Sequence, residues 1–116
     1  MIYKVNMNIK FAKEYLNNTI WNLDNLDWQV SGIIKNRSNE NLKFDIRFLK
    51  DYKDKGLGKI ISEKSKADKV LFEDKFSWLL IDTKELIKYM KAKQLKQITV
   101  EELKSNIDWN IELPKV

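Results

Sequence analysis

The chain has 116 residues, 43% hydrophobic and 34% charged, with a net charge of +5. That is enough apolar material for one soluble domain with one core, and the basic balance permits a polyanionic partner without requiring one. Cys and His are absent, which excludes disulfides, thiol nucleophiles, Cys/His zinc sites, His-dependent triads and imidazole bases.

Hydrolytic chemistry would therefore rest on carboxylates, Lys, Arg, Tyr, hydroxyls and a hard, oxygen-seeking ion such as Mg²⁺. No apolar run reaches roughly eighteen residues, so no membrane span is expected. Met1-Ile2-Tyr3-Lys4 leads into no apolar signal core. Export is not expected, and the cytoplasm is the expected compartment.

Residues 1–7 alternate weakly and read as a short strand or a lead-in. Ile9, Ala12, Tyr15, Leu16 and Ile20 follow helical spacing behind Asn8 as N-cap, which predicts a helix over about 9–18. Residues 21–27 read as a connection. Residues 28–34 read as a strand, with Gly32 marking a bulge or a close approach. The polar run 36–41 is turn chemistry and makes a hairpin with 42–49.

Residues 51–68 are the most polar and least regular part. Lys69-Val70-Leu71-Phe72 and residues 76–81 read as two strands joined by the turn Glu73-Asp74-Lys75, with burial on both faces. Asp82 caps a helix, with Glu85 completing a capping box, and apolar spacing carries that helix to about Lys96. Thr99 with Glu102 repeats the box for a short helix. Residues 107–113 alternate as a last strand, closed by Pro114. The expected order is α-β-β-β-β-α-(short α)-β in a single domain spanning 1–116, an α/β (α+β) fold with a mixed β-sheet flanked by helices.

Within the strand 42–49, Leu42, Phe44, Ile46 and Phe48 alternate with Lys43, Asp45 and Arg47. This is the period of a half-buried strand, and it sets an acid and a base side by side on the other face. Asp27 lies upstream, at the start of the preceding strand, with Asp24 as a competing candidate. An acid, then acid–x–base on a strand, is a minimal pattern for a metal-dependent phosphodiesterase. The bland reading is the charged face of an amphipathic strand, and from these residues alone it is the stronger.

Asp27, the strand Asp45-Ile46-Arg47, and residues 65–72 followed by 78–86 together resemble small phage and mobile-element members of the PD-(D/E)XK, or restriction-endonuclease-like, superfamily. The resemblance covers about residues 9–96. It implies a restriction-endonuclease-like fold and a metal-dependent DNA endonuclease hydrolysing phosphodiester bonds. Asp27 and Asp45 would hold Mg²⁺, with Mn²⁺ as a substitute, and Glu14 on the first helix would bind through water. Arg47 takes the position of the superfamily's lysine and supplies charge, but it is effectively never deprotonated. That departure keeps open a catalytically inactive relative, acting as an inhibitor or adaptor against a host nuclease or defence complex. A DNA-binding module without a metal is a further alternative. Many members are dimers, which leaves a homodimer open.

Lys50, Lys53, Lys55, Lys59, Lys64 and Lys66 form a candidate DNA-backbone surface, interrupted by Asp51, Asp54, Glu63 and Asp68. A second basic run, Lys84, Lys88, Lys91, Lys93 and Lys96, belongs to the capped helix, and the spacing 84–88–91 puts three of them on one face. The four tryptophans sit in apolar stretches and are expected in the core.

Overall fold

A computed structural model describes residues 10–22, 28–37, 39–47, 64–95 and 98–115. Expectations placed on residues 1–7, Asn8, Asp24, Asp27 and 48–63 lie outside the described residues. The elements are α1 (Lys10–Tyr15), β1 (Leu16–Trp21), β2 (Val30–Ile34), β3 (Leu42–Arg47), β4 (Lys69–Glu73), β5 (Ser77–Asp82), α2 (Thr83–Lys93), α3 (Val100–Asn106) and β6 (Asn110–Pro114). Among the described residues the strands form one six-stranded sheet in chain order. β3 and β4 run parallel, and every other neighbouring pair is antiparallel. The fold is α+β, with a mixed sheet and, among the described residues, three helices.

The expected first helix is shorter than its pattern, and a strand follows it at once. Leu16 and Trp21 both lie in the aromatic core or packed against it, although five residues apart they should face opposite ways in a regular strand. The β1–β2 register resolves this. Asn17 pairs with Ile33 and Ile20 with Ser31, so β1 carries one residue more than its partner. Asn18 takes it up with φ 56, a left-handed conformation that Asn tolerates. The bulge destroyed the period of two that would have revealed the strand.

Gly32 is the close approach, opposite that bulge. A Cβ there would sit 3.0 Å from the Asn17 carbonyl oxygen and 3.2 Å from Leu16 Cβ.

α1 has six residues, about 9 Å of helix, yet it links the two edges of the sheet. Tyr15 runs straight into β1, while its hydroxyl donates to the Pro114 carbonyl in β6 at 2.6 Å. Laid flat, six strands would separate those edges by roughly 24 Å. The sheet therefore coils around α1. Phe11, wholly buried, fills the hollow of the coil, with its ring 5.8 Å from Phe44 and 5.7 Å from Trp78.

The convex side carries a second core. Val70 and Phe72 of β4 and Leu79 and Ile81 of β5 pack under Leu86 and Met90 of α2 and Val100 and Leu103 of α3. The Asp82 carboxylate accepts from the Glu85 N–H at 3.0 Å, and the Thr99 hydroxyl accepts from the Glu102 N–H at 3.1 Å. Each expected box is only half formed. Glu85 turns to accept from the Trp109 N–H, and Glu102 accepts from the Tyr89 hydroxyl, so tertiary donors take the carboxylates that a lone helix would fold back on itself. α2 stops at Lys93, short of the expected end, because Gln94 turns left-handed with φ 56.

Candidate functional site

β3 is a central strand, and its register decides where Asp45 and Arg47 point. Asp45 pairs with Val70 and Arg47 with Phe72. Paired residues share a face, and Val70 and Phe72 belong to the convex core, so the acid and the base open on the α2/α3 side. Phe44 and Ile46 point the other way, into the aromatic core. The adjacency expected of Asp45 and Arg47 is present, with Arg47 Nη2 3.1 Å from Asp45 Oδ2. Asp45 is only 7% exposed. At that depth a carboxylate needs a cation or strong donors, and Arg47 supplies both.

Glu14 does not join them. It lies on α1, on the concave side, where it lines a hollow with Tyr15, Lys35, Arg37 and Leu113. The sheet stands between Glu14 and Asp45, so these two cannot share an ion through the arrangement expected of them. Asp27 lies outside the described residues. Among the described residues no three Asp or Glu side chains gather as a metal centre would need.

Of the expected backbone-binding lysines, Lys64 and Lys66 are exposed at the approach to β4. Lys50, Lys53, Lys55 and Lys59 lie outside the described residues. The helical run is clearer. Lys84, Lys88 and Lys91 are all exposed along one side of α2, with Lys93 beyond them. Leu86 and Met90 hold the opposite side against the sheet.

Two features escaped sequence reasoning. The first is a knot where β4 and β6 begin and β5 ends. Lys69 Nζ lies 2.8 Å from Asp82 Oδ1 and 3.7 Å from the centre of the Trp109 ring, combining an ion pair with a cation–π contact. Burial pushes the Asp82 carboxyl up. The Lys69 ammonium, the Glu85 N–H and the Lys84 charge outweigh it and hold the group below the usual carboxylate range. The knot ties α2 to the sheet, and its groups are spent on one another.

The second feature is the seam of the coil. One open hollow of about 780 Å³ involves Asn17, Lys35, Asn36 and Arg37. Another, of about 480 Å³, shares Lys35, Asn36 and Arg37 and reaches Glu14, Tyr15 and Leu113. Lys35-Asn36-Arg37 reads in sequence as ordinary turn chemistry. The β1–β2 register sets the end of α1 beside it, and the coiling of the sheet brings β6 to it. In comparisons with known proteins, no family model, no curated protein and no solved structure matches this chain.

Proposed function

We propose that this protein binds a polyanion, DNA by the resemblance drawn above, through the outer side of α2, and that it does so without cutting it. The observation that carries this reading is the exposed row Lys84, Lys88 and Lys91 on a helix whose other side is buried. Those positions rise by about 6 and 4.5 Å along the axis. They form a rigidly mounted line of charge, suited to phosphates and indifferent to base sequence. Net charge of +5 works in the same direction.

The endonuclease implied by the resemblance has less support. It needs Asp45 open to an ion and a second carboxylate beside it. Asp45 is instead covered and held by Arg47, and Glu14 is on the far side of the sheet. The restriction-endonuclease-like scaffold remains a proposal on the same terms, as a frame that has kept the acid–x–base strand and turned it into an internal ion pair.

The test is fluorescence anisotropy with a labelled duplex at two salt concentrations, in Mg²⁺ and then Mn²⁺, followed by electrophoresis of the DNA. The expected result is salt-dependent binding with intact DNA. Lys84→Glu with Lys88→Glu and Lys91→Glu should lower affinity by about tenfold or more and flatten the salt slope by about one for each phosphate no longer neutralised. Cleavage that disappears in Asp45→Ala would overturn the non-catalytic part. Absence of DNA binding, with a stable complex to a host nuclease, would replace the proposal with the inhibitor reading.

A further inference from the structure

We infer that the seam between α1, the turn after β2 and the end of β6 is a binding site for a small phosphorylated ligand that also carries hydroxyl donors, in chemical class a nucleoside monophosphate. This is independent of the helix α2 surface. Three observations converge on it.

The first is an orphaned acceptor. Glu14 Oε1 is shut away from solvent and receives no hydrogen bond. A covered carboxylate oxygen without a donor is costly and rare in folded proteins. Its side chain lines the smaller hollow, so a rotation of the carboxylate presents to a ligand there an acceptor that already lacks a donor.

The second is uncommitted positive charge on the same hollow. The Arg37 guanidinium has no hydrogen-bond or ion-pair partner among the described residues. Lys35 Nζ makes one long contact, 3.4 Å to the Lys13 carbonyl. Neither cation pairs with Glu14, although all three line one hollow. A lone anion would feel both the cations and the carboxylate. A ligand with an anion at one end and donors at the other satisfies both, and that polarity selects the class. A guanidinium fork matches a phosphate in geometry and charge. A carboxylate is a fitting acceptor for ribose hydroxyls, the role it plays in dinucleotide sites.

The third is a formed, fixed shape. The Lys35 N–H donates to the Tyr15 carbonyl at 2.8 Å, and the Arg37 N–H to the Ile34 carbonyl at 3.3 Å. Asn36 holds the turn with φ 61. Tyr15 is pinned through its hydroxyl to Pro114. Tyr15 and Leu113 give one hollow an apolar wall on which a base can lie, and the amides of Asn17 and Asn39, with the Glu40 carboxylate, edge the other, where they too can accept from a ligand's hydroxyls. At about 480 and 780 Å³, the hollows match the size of sites that take cofactor-sized molecules.

The experiment is isothermal titration of the full chain with AMP, with inorganic phosphate and adenosine as separate arms. AMP should bind. Phosphate alone and adenosine alone should each bind at least about tenfold more weakly, since each leaves one end of the site unsatisfied. Arg37→Ala should weaken AMP about tenfold or more and leave adenosine unchanged. Glu14→Gln should weaken AMP and adenosine alike and leave phosphate unchanged or tighter. Thermal melts of both variants establish that they fold, and Lys88→Glu should leave AMP binding unaltered. Failure of AMP to bind at millimolar concentration would overturn the inference. Equal affinity for phosphate and AMP would overturn the ligand class, and unchanged AMP binding in Arg37→Ala would overturn the placement.

Discussion

The two faces of the sheet are built from different materials and held by different means. The concave face gathers the rings of Phe11, Phe44 and Trp78 among aliphatic residues and is organised by a helix of six residues, too short to persist alone in water. The convex face is aliphatic apart from Phe72 and Tyr89 and lies under α2, which has eleven residues, a side-chain cap at its start and a left-handed stop at its end. Local signals specify the second face almost unaided. The first exists because the sheet closes around Phe11, so its stability is more strongly shared among distant parts of the chain.

Phe11→Ala should break that comparison most severely. Its ring touches Tyr15, Phe44 and Trp78 from the centre of the coil, and its loss should cost about 3–5 kcal/mol in urea unfolding. Leu103→Ala, wholly buried in the convex core, should cost less, about 2–4 kcal/mol. If the two variants unfold at the same urea concentration, the concave face is not the organising one.

Gly32→Ala sharpens the view of β1. The new methyl would press on the Asn17 carbonyl and on Leu16, and about 1–2 kcal/mol should be lost. A neutral result would mean that the bulge yields easily.

Asp82→Ala removes the α2 cap and the Lys69 partner and should cost about 1–2 kcal/mol near neutral pH. Its pH dependence has a definite sign. Folding holds this carboxyl below its usual range, so the folded state favours the ionised form. The resulting stability is complete above the unfolded carboxylate pKa, near about 4, and drains away as pH falls through the lower folded value. The gap between wild type and Asp82→Ala should stay level from pH 8 to pH 5 and narrow below about pH 4. A gap that widens in acid would contradict this sign. The smallest structural effect belongs to the α2 lysines. Their combined reversal to Glu should move stability by only about 0.5 kcal/mol while changing DNA affinity.

Much of the convex half was legible. The alternation in β3, the apolar runs of β4 and β5, and the caps at Asp82 and Thr99 each rest on near neighbours in sequence. β1 was not legible, because one left-handed residue at Asn18 inverts its alternation midway. The acid–x–base pair was legible as a pair and not as a site, since spacing says that Asp45 and Arg47 are neighbours and nothing about the depth at which they sit. Lys69 over Trp109 joins residues forty apart in the chain, beyond the reach of any local pattern.

Composition and periodicity alone determined an α+β domain with no thiol or imidazole chemistry, and where most of its strands and its long helix lie. These properties depend on residue type and on separations of two to four positions. The coiling of the sheet belongs to the tertiary structure, because it arises from twist summed over six strands and from one aromatic ring able to fill the space enclosed. That coiling brings β6 against the end of α1, while the β1–β2 register sets Glu14 beside Lys35 and Arg37, on the other face of the sheet from Asp45.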